Sequence, residues 1–175
     1  MTPASAEQLA GRYERISEQL AGIFAGTEHP VARMATAAAV LHHKLDHFFW
    51  TGWYLLHEGQ LVVGPYQGPV ACPVLAGPEG VCWAGIMGRR TLIVPDVEQF
   101  PGHVACDGRS RSEIVVPLRD PDGMVIGVLD VDSQQPDAFG PEDQVGLERI
   151  VEMIFRAFEA APAHDEDASG PVEPA

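Results

Sequence analysis

Helices at both ends of the chain, enclosing a run of short and mostly antiparallel strands, predict an α+β layer fold. Three observations carry that prediction. Apolar residues recur at helical spacing near each end, β-branched and aromatic runs fill the middle, and turn residues separate those runs at hairpin distance. With 175 residues, the chain is most economically one domain that is long enough to bury a real core.

Leu9, Tyr13, Ile16, Leu20, Ile23 and Phe24 fall on one stripe of a first helix, with Glu14, Arg15 and Glu18 opposite. Gly26 and Thr27 end it. Pro30 stands near the first turn of a second helix, which an Ala-rich stretch carries to about Asp46. Phe48 to Leu56 reads as a strand, and Gln60 to Gly64 as its hairpin partner across Glu58-Gly59. The stretch from Gly64 to Pro69 breaks the pattern, and Val70 to Leu75 resumes it. Thr91 to Val94 is a short strand stopped by Pro95. Glu113 to Leu118 and Met124 to Val131 pair across Asp120-Pro121-Asp122-Gly123. A closing helix runs from about Pro141 to Ala161, with Val145, Ile150, Ile154, Phe155 and Phe158 on its apolar side. Its first turn has Pro141 and the dipole-complementing Glu142 and Asp143. The apolar stripes of the terminal helices suit core packing or a homodimer interface. The domain is expected to span 1–162; the acidic tail 163–175, without large apolar residues, is expected to be disordered.

A formal net charge of −14 argues against nucleic acid or an anionic membrane as partner, since both require concentrated Lys and Arg. The N-terminus carries no basic segment followed by an apolar core, and no apolar run approaches bilayer length. Three cysteines without a secretory signal fit a reducing cytoplasm. No bound cofactor or metal is expected.

Cys72, Cys82 and Cys106 all sit in settings that read as loops rich in Gly, Pro or Asp. Cys106 is the best candidate nucleophile. It follows His103 and precedes Arg109 and Arg111, and nearby cations favour thiolate over thiol. Period-two alternation in Val125 to Asp132 puts Ile126, Val128, Asp130 and Asp132 on one strand face. That acidic end reads either as the polar corner of a pocket or as a strand emerging into water. His43 and His47, four apart beside His42 and Asp46, have a spacing that can serve one metal, but without a third ligand they read as a solvated helix end.

Seven segments together carry a resemblance: Trp50-Thr51-Gly52-Trp53-Tyr54, Leu61 to Gly68, Gly80-Val81-Cys82, Asp96-Val97, Phe100 to Asp107, Ser112 to Leu118 and Gly127 to Ser133. They resemble the free methionine-(R)-sulfoxide reductases, whose fold is a single GAF domain with a six-stranded antiparallel sheet flanked by helices. The resemblance covers about Trp50 to Leu147, including the three cysteines at intervals of ten and twenty-four residues. It implies that Cys106 attacks the sulfoxide sulfur, that Cys72 closes a disulfide onto it, and that Cys82 is auxiliary. It further implies that Trp50 and Tyr54 line the pocket for the methyl thioether, that Glu113, Asp130 and Asp132 form its acidic cluster, and that thioredoxin is the reductant. One departure stands beside Cys82: Trp83 occupies a position where the family usually has a small residue. The rival reading is a non-enzymatic GAF module that senses a small ligand or redox state.

Overall fold

Ser5 caps the first helix: its hydroxyl accepts from the Gln8 amide (3.3 Å), and the Gln8 side chain accepts in return from the Ser5 amide (2.9 Å). The structure is a computed structural model and describes residues 5–103 and 106–158. Its helices are α1 (Ala6–Phe24), α2 (Pro30–Lys44), α3 (Val81–Gly88) and α4 (Pro141–Glu152). The strands are β1 (Trp50–His57), β2 (Gln60–Gln67), β3 (Val74–Leu75), β4 (Leu92–Val94), β5 (Ser112–Arg119) and β6 (Val125–Ser133). They form one antiparallel sheet in the order β3-β2-β1-β6-β5-β4. The α+β expectation holds, and so do both hairpins. Glu58 and Gly59 take positive φ in the first turn, while the Asp120 carboxylate accepts from the Asp122 and Met124 amides in the second.

Alternation along the central strands divides the side chains between two layers. Trp53, Ile114, Val116, Leu129 and Val131 pack beneath α1, α2 and α4. Trp50, Tyr54, Val115 and Val128 face the other way, toward Val81 and Cys82 of α3. No helix among the described residues is long and apolar enough to cross a membrane.

Five boundaries differ from the sequence reading. β2 continues to Gln67, paired with Thr51, through the stretch from Gly64 that was expected to break it. Cys82 lies on α3 rather than in a loop. Gly80, at φ 90°, starts that helix, and Gly85 lets it press onto β5, where a Cβ would meet Val115 Cγ1 at 2.8 Å. Only Val74–Leu75 is a strand where Val70 to Leu75 was expected; Val70 is 84% exposed, and Pro69 and Pro73 have no amide for a ladder. The second helix stops at Lys44, short of Asp46, so His47 lies beyond it. The closing helix stops at Glu152 rather than Ala161, after which Ile154 N and Arg156 N bond Val151 O and Met153 O in tighter turns. Residues 159–161 and the acidic tail 163–175 lie outside the described residues.

The cause of that early stop is Arg33. Its guanidinium, buried at 2% exposure, donates to the carbonyls of Phe24 (3.0 Å), Thr27 (2.7 Å), Ile154 (3.0 Å) and Arg156 (2.7 Å). It also lies against the Phe24 and Phe158 rings, at 5.5 and 5.1 Å from their centroids. A second tie joins the layer at its other end: Asp143 accepts from the Tyr13 hydroxyl (2.7 Å) and the Gly140 amide (2.9 Å), and pairs with His47 Nε2 (3.1 Å). Arg33→Met should destabilise the fold by about 3–5 kcal/mol, since carbonyls are left buried without donors. Arg33→Lys should recover only part of that loss, an ammonium being unable to span four acceptors. Urea denaturation of the three proteins measures both.

Candidate active site

The register of β6 against its two neighbours builds the floor of a cavity on the α3 side of the sheet. Trp50, Asp132 and Glu113 form one row across β1, β6 and β5; Gly52, Asp130 and Val115 form the next; Tyr54, Val128 and Pro117 form a third. Gly52 puts no side chain opposite Asp130. The cavity is lined by Trp50, Tyr54, Cys82, His103, Cys106, Glu113, Asp130 and Asp132, with Ser110 and the Ala71 loop at its edge. The acidic end of β6 therefore faces a pocket and does not emerge into water. Trp50 stacks between Tyr54 and Tyr66, with ring centroids 5.8 and 5.4 Å away, and its indole donates to Pro69 O (3.2 Å).

Cys72 and Cys106 are joined in a disulfide at the mouth, their Cα atoms 5.4 Å apart. The Tyr54 hydroxyl reaches both arms: it donates to Cys72 O (3.0 Å) and stands 4.0 Å from Cys106 Sγ. Cys106 is exposed and Cys72 half-buried, so the disulfide is open to attack from solvent. Cys82 is different. Its thiol is free and buried at 5% exposure, 3.9 Å from Glu113 Oε1, on a helix tied to β3 by the bond from Trp83 Nε1 to Leu75 O (3.1 Å).

The cations expected to act on Cys106 are otherwise engaged. Arg109 forms a bidentate pair with Asp107 (2.9 and 2.7 Å) and lies over the Phe49 ring, while Arg111 approaches Glu98 at 3.8 Å. Burial lowers the His103 pKa and so favours its neutral form. The histidines near α2 meet separate partners: His42 meets Thr51, His43 meets Ala39 O, and His47 meets Asp143.

The carboxylates dominate the electrostatics. Glu113 is 5% exposed and Asp130 6%, and Asp132 is half-buried at the rim. Desolvation, followed by the charge of Asp130, drives the pKa of Glu113 and of Asp132 well above the usual carboxylate range. Asp130 rises to about 6, chiefly through burial; the Glu113 and Cys82 side chains beside it hold it lower than its neighbours. Burial and the same anions push the Cys82 thiol up, so it carries little thiolate near neutral pH. One oxygen, Asp130 Oδ1, is buried without a hydrogen-bond partner among the described residues. Sequence reasoning found the two aspartates on one face and His103 only as a cation near Cys106, and it missed Tyr66, which stacks on Trp50.

These raised values predict a trade of stability for charge. Between about pH 4 and pH 6 the folded chain holds protons that the unfolded chain has released, so stability should fall as pH rises through that window. Asp130→Asn should raise stability at pH 7.5 by on the order of 1–3 kcal/mol and flatten that slope. Thermal unfolding at several pH values tests it; an unchanged slope in the variant would refute the assignment.

A GAF domain family model matches residues 31–159. The free methionine-R-sulfoxide reductase of Saccharomyces cerevisiae is 36% identical over 158 residues, covering 86% of this chain and 84% of that protein. The Escherichia coli protein of the same name is 37% identical over 142 residues, covering 81% and 86%. The X-ray structure of free methionine-R-sulfoxide reductase from Neisseria meningitidis in complex with its substrate superposes with a TM-score of 0.80 at 36% identity, covering 91% of this chain and 93% of that one. On fold, on length and on identity, the chain belongs to the GAF-domain family of free methionine-R-sulfoxide reductases.

Proposed function

We propose that the chain reduces free L-methionine-(R)-sulfoxide to methionine, with thioredoxin restoring the thiols. The observation that carries this reading is the Cys72–Cys106 disulfide at the mouth of a cavity floored by Glu113, Asp130 and Asp132. In the reduced enzyme, the Cys106 sulfur attacks the sulfoxide sulfur, and the sulfoxide oxygen passes to Cys106 as it gains a proton. Methionine leaves and Cys106 remains as the sulfenic acid. Cys72 then condenses with it, releasing water and closing the disulfide, which an external dithiol reduces. A cytoplasmic setting fits that last step. The exposed Ile23 on α1 and Val145 on α4 support a homodimer across the helical layer.

The remaining groups have chemical parts to match. A carboxyl that holds its proton near neutral pH, as the burial of Glu113 favours, is suited to protonate the departing oxygen. The ionised members of the cluster bind the α-ammonium of the free amino acid, which a residue within a peptide lacks. Trp50 and Tyr54 present stacked aromatic faces to the methyl thioether. Cys82, buried and poorly ionised, is chemically less suited to resolve the sulfenic acid than Cys72.

Four outcomes test the reading. Cys106→Ser should lose turnover with its fold intact; substantial methionine release from that variant would remove the nucleophile. Cys72→Ser should release about one methionine per chain and then stall with thioredoxin, because the sulfenic acid lacks its partner. Glu113→Gln should lower kcat/KM by about 2–4 kcal/mol, roughly 30- to 1000-fold. N-acetylmethionine sulfoxide should be a very poor substrate for the wild type, and equal rates on the acetylated and free compounds would sink the ammonium contact.

A further inference from the structure

Sulfoxide reduction as proposed uses two of the three cysteines and leaves the most buried one idle. Cys82 does not lie there by default. Gly80 and Gly85 seat α3 against the sheet, Trp83 ties it to β3, and the thiol is thereby fixed over Glu113 and Asp130. The Cys82 sulfur and one carboxylate oxygen from each of Glu113 and Asp130 lie within 4.8 Å of one another. An ammonium ion draws on the carboxylates but gains little from a thiol. A thiolate between two carboxylates is instead a donor set for a borderline-soft divalent cation.

A second observation points the same way without involving the cysteine. Asp130 Oδ1 is buried with no hydrogen-bond partner among the described residues, although buried carboxylate oxygens are nearly always satisfied. Asp130 is a member of the trio and lines the same cavity, so a cation bound there can answer its carboxylate. A fourth ligand stands just outside the trio: His103 Nδ1 is 4.0 Å from Glu113 Oε2 and lines the same cavity, and it has to move inward to complete the set. In tetrahedral zinc, bonds of about 2.0–2.3 Å put ligand atoms roughly 3.3–3.8 Å apart, so the trio, within 4.8 Å, needs to contract by at most about 1.5 Å.

We propose that Cys82, Glu113 and Asp130, with His103, form a binding site for Zn²⁺ or a cation of its class, and that its occupation switches the pocket off. On binding, the Cys82 S–H proton and any carboxyl proton pass to solvent, and the metal takes the oxygens that an α-ammonium requires. The binding stands on the geometry alone. Only the inhibition rests on the function proposed above.

The test uses the full chain in its Cys72–Cys106 disulfide form, which removes those two sulfurs as competing ligands. Zn²⁺ is titrated against a chromophoric chelator, and Co²⁺ is added in parallel to report sulfur ligation through its charge-transfer absorption. One Zn²⁺ per chain is expected, with affinity reduced at least about 100-fold in both Cys82→Ser and Asp130→Asn, and with the sulfur band absent from Cys82→Ser. Folding of each variant is checked by circular dichroism. No stoichiometric binding to the disulfide form, or affinity untouched by both substitutions, overturns the site; binding that appears only after reduction assigns the metal to Cys72 and Cys106 and overturns it equally. With free Zn²⁺ held by a metal buffer, methionine release by reduced wild type should fall in step with occupancy, and full turnover at full occupancy overturns the switch. A metal-free wild type that reduces no sulfoxide condemns the functional reading and leaves the binding result standing.

Discussion

The cavity depends on β6 lying in unbroken register between β1 and β5. Six consecutive pairs join β1 to β6, and the irregularities of the neighbouring ladders fall outside the floor, at Leu118/Arg119 and on the β2 side of β1. Because side chains alternate, a slip of one residue would bring Leu129 and Val131 into the cavity and drive Asp130 into the helical core. The apolar demand of that core thus holds the carboxylates where they are. Residues that never touch a ligand, Leu129 and Val131 among them, keep the acidic face pointed correctly.

Two opposite kinds of polar burial share this small domain. On the helical side, the buried charged groups are answered: Arg33 by carbonyls, Asp143 by a phenol, an imidazole and an amide. On the α3 side the anions crowd one another and one oxygen is unanswered. Well-satisfied groups define a rigid platform, while the under-satisfied cluster concentrates strain where a ligand can relieve it. Desolvation is the common cost on both faces, and only its compensation differs.

Much of this was legible in the chain. The shared face of Asp130 and Asp132 follows from a period of two, and the turn at Asp120 to Gly123 from side-chain chemistry. What escaped was set by tertiary contact. The run from Val81 to Gly88 is apolar almost throughout, so it shows no amphipathic period, and only the approach of Gly85 to Val115 explains why it is a helix lying on the sheet. The end of α4 is fixed by a guanidinium more than a hundred residues earlier in sequence. Arg109 and Arg111 looked available to Cys106 because the linear sequence does not reveal that Asp107, Phe49 and Glu98 claim them.

The anchoring of Arg33 has a consequence for how the two faces respond to acid. Its partners are carbonyls, which do not titrate, and a guanidinium keeps its proton at any pH a protein survives. Acidification that discharges Glu113, Asp130 and Asp132 therefore leaves this knot untouched. The Arg33 knot is electrostatically inert, and the proton inventory of the cavity can change with substrate or medium while the segments around Phe24 and Ile154 stay locked together.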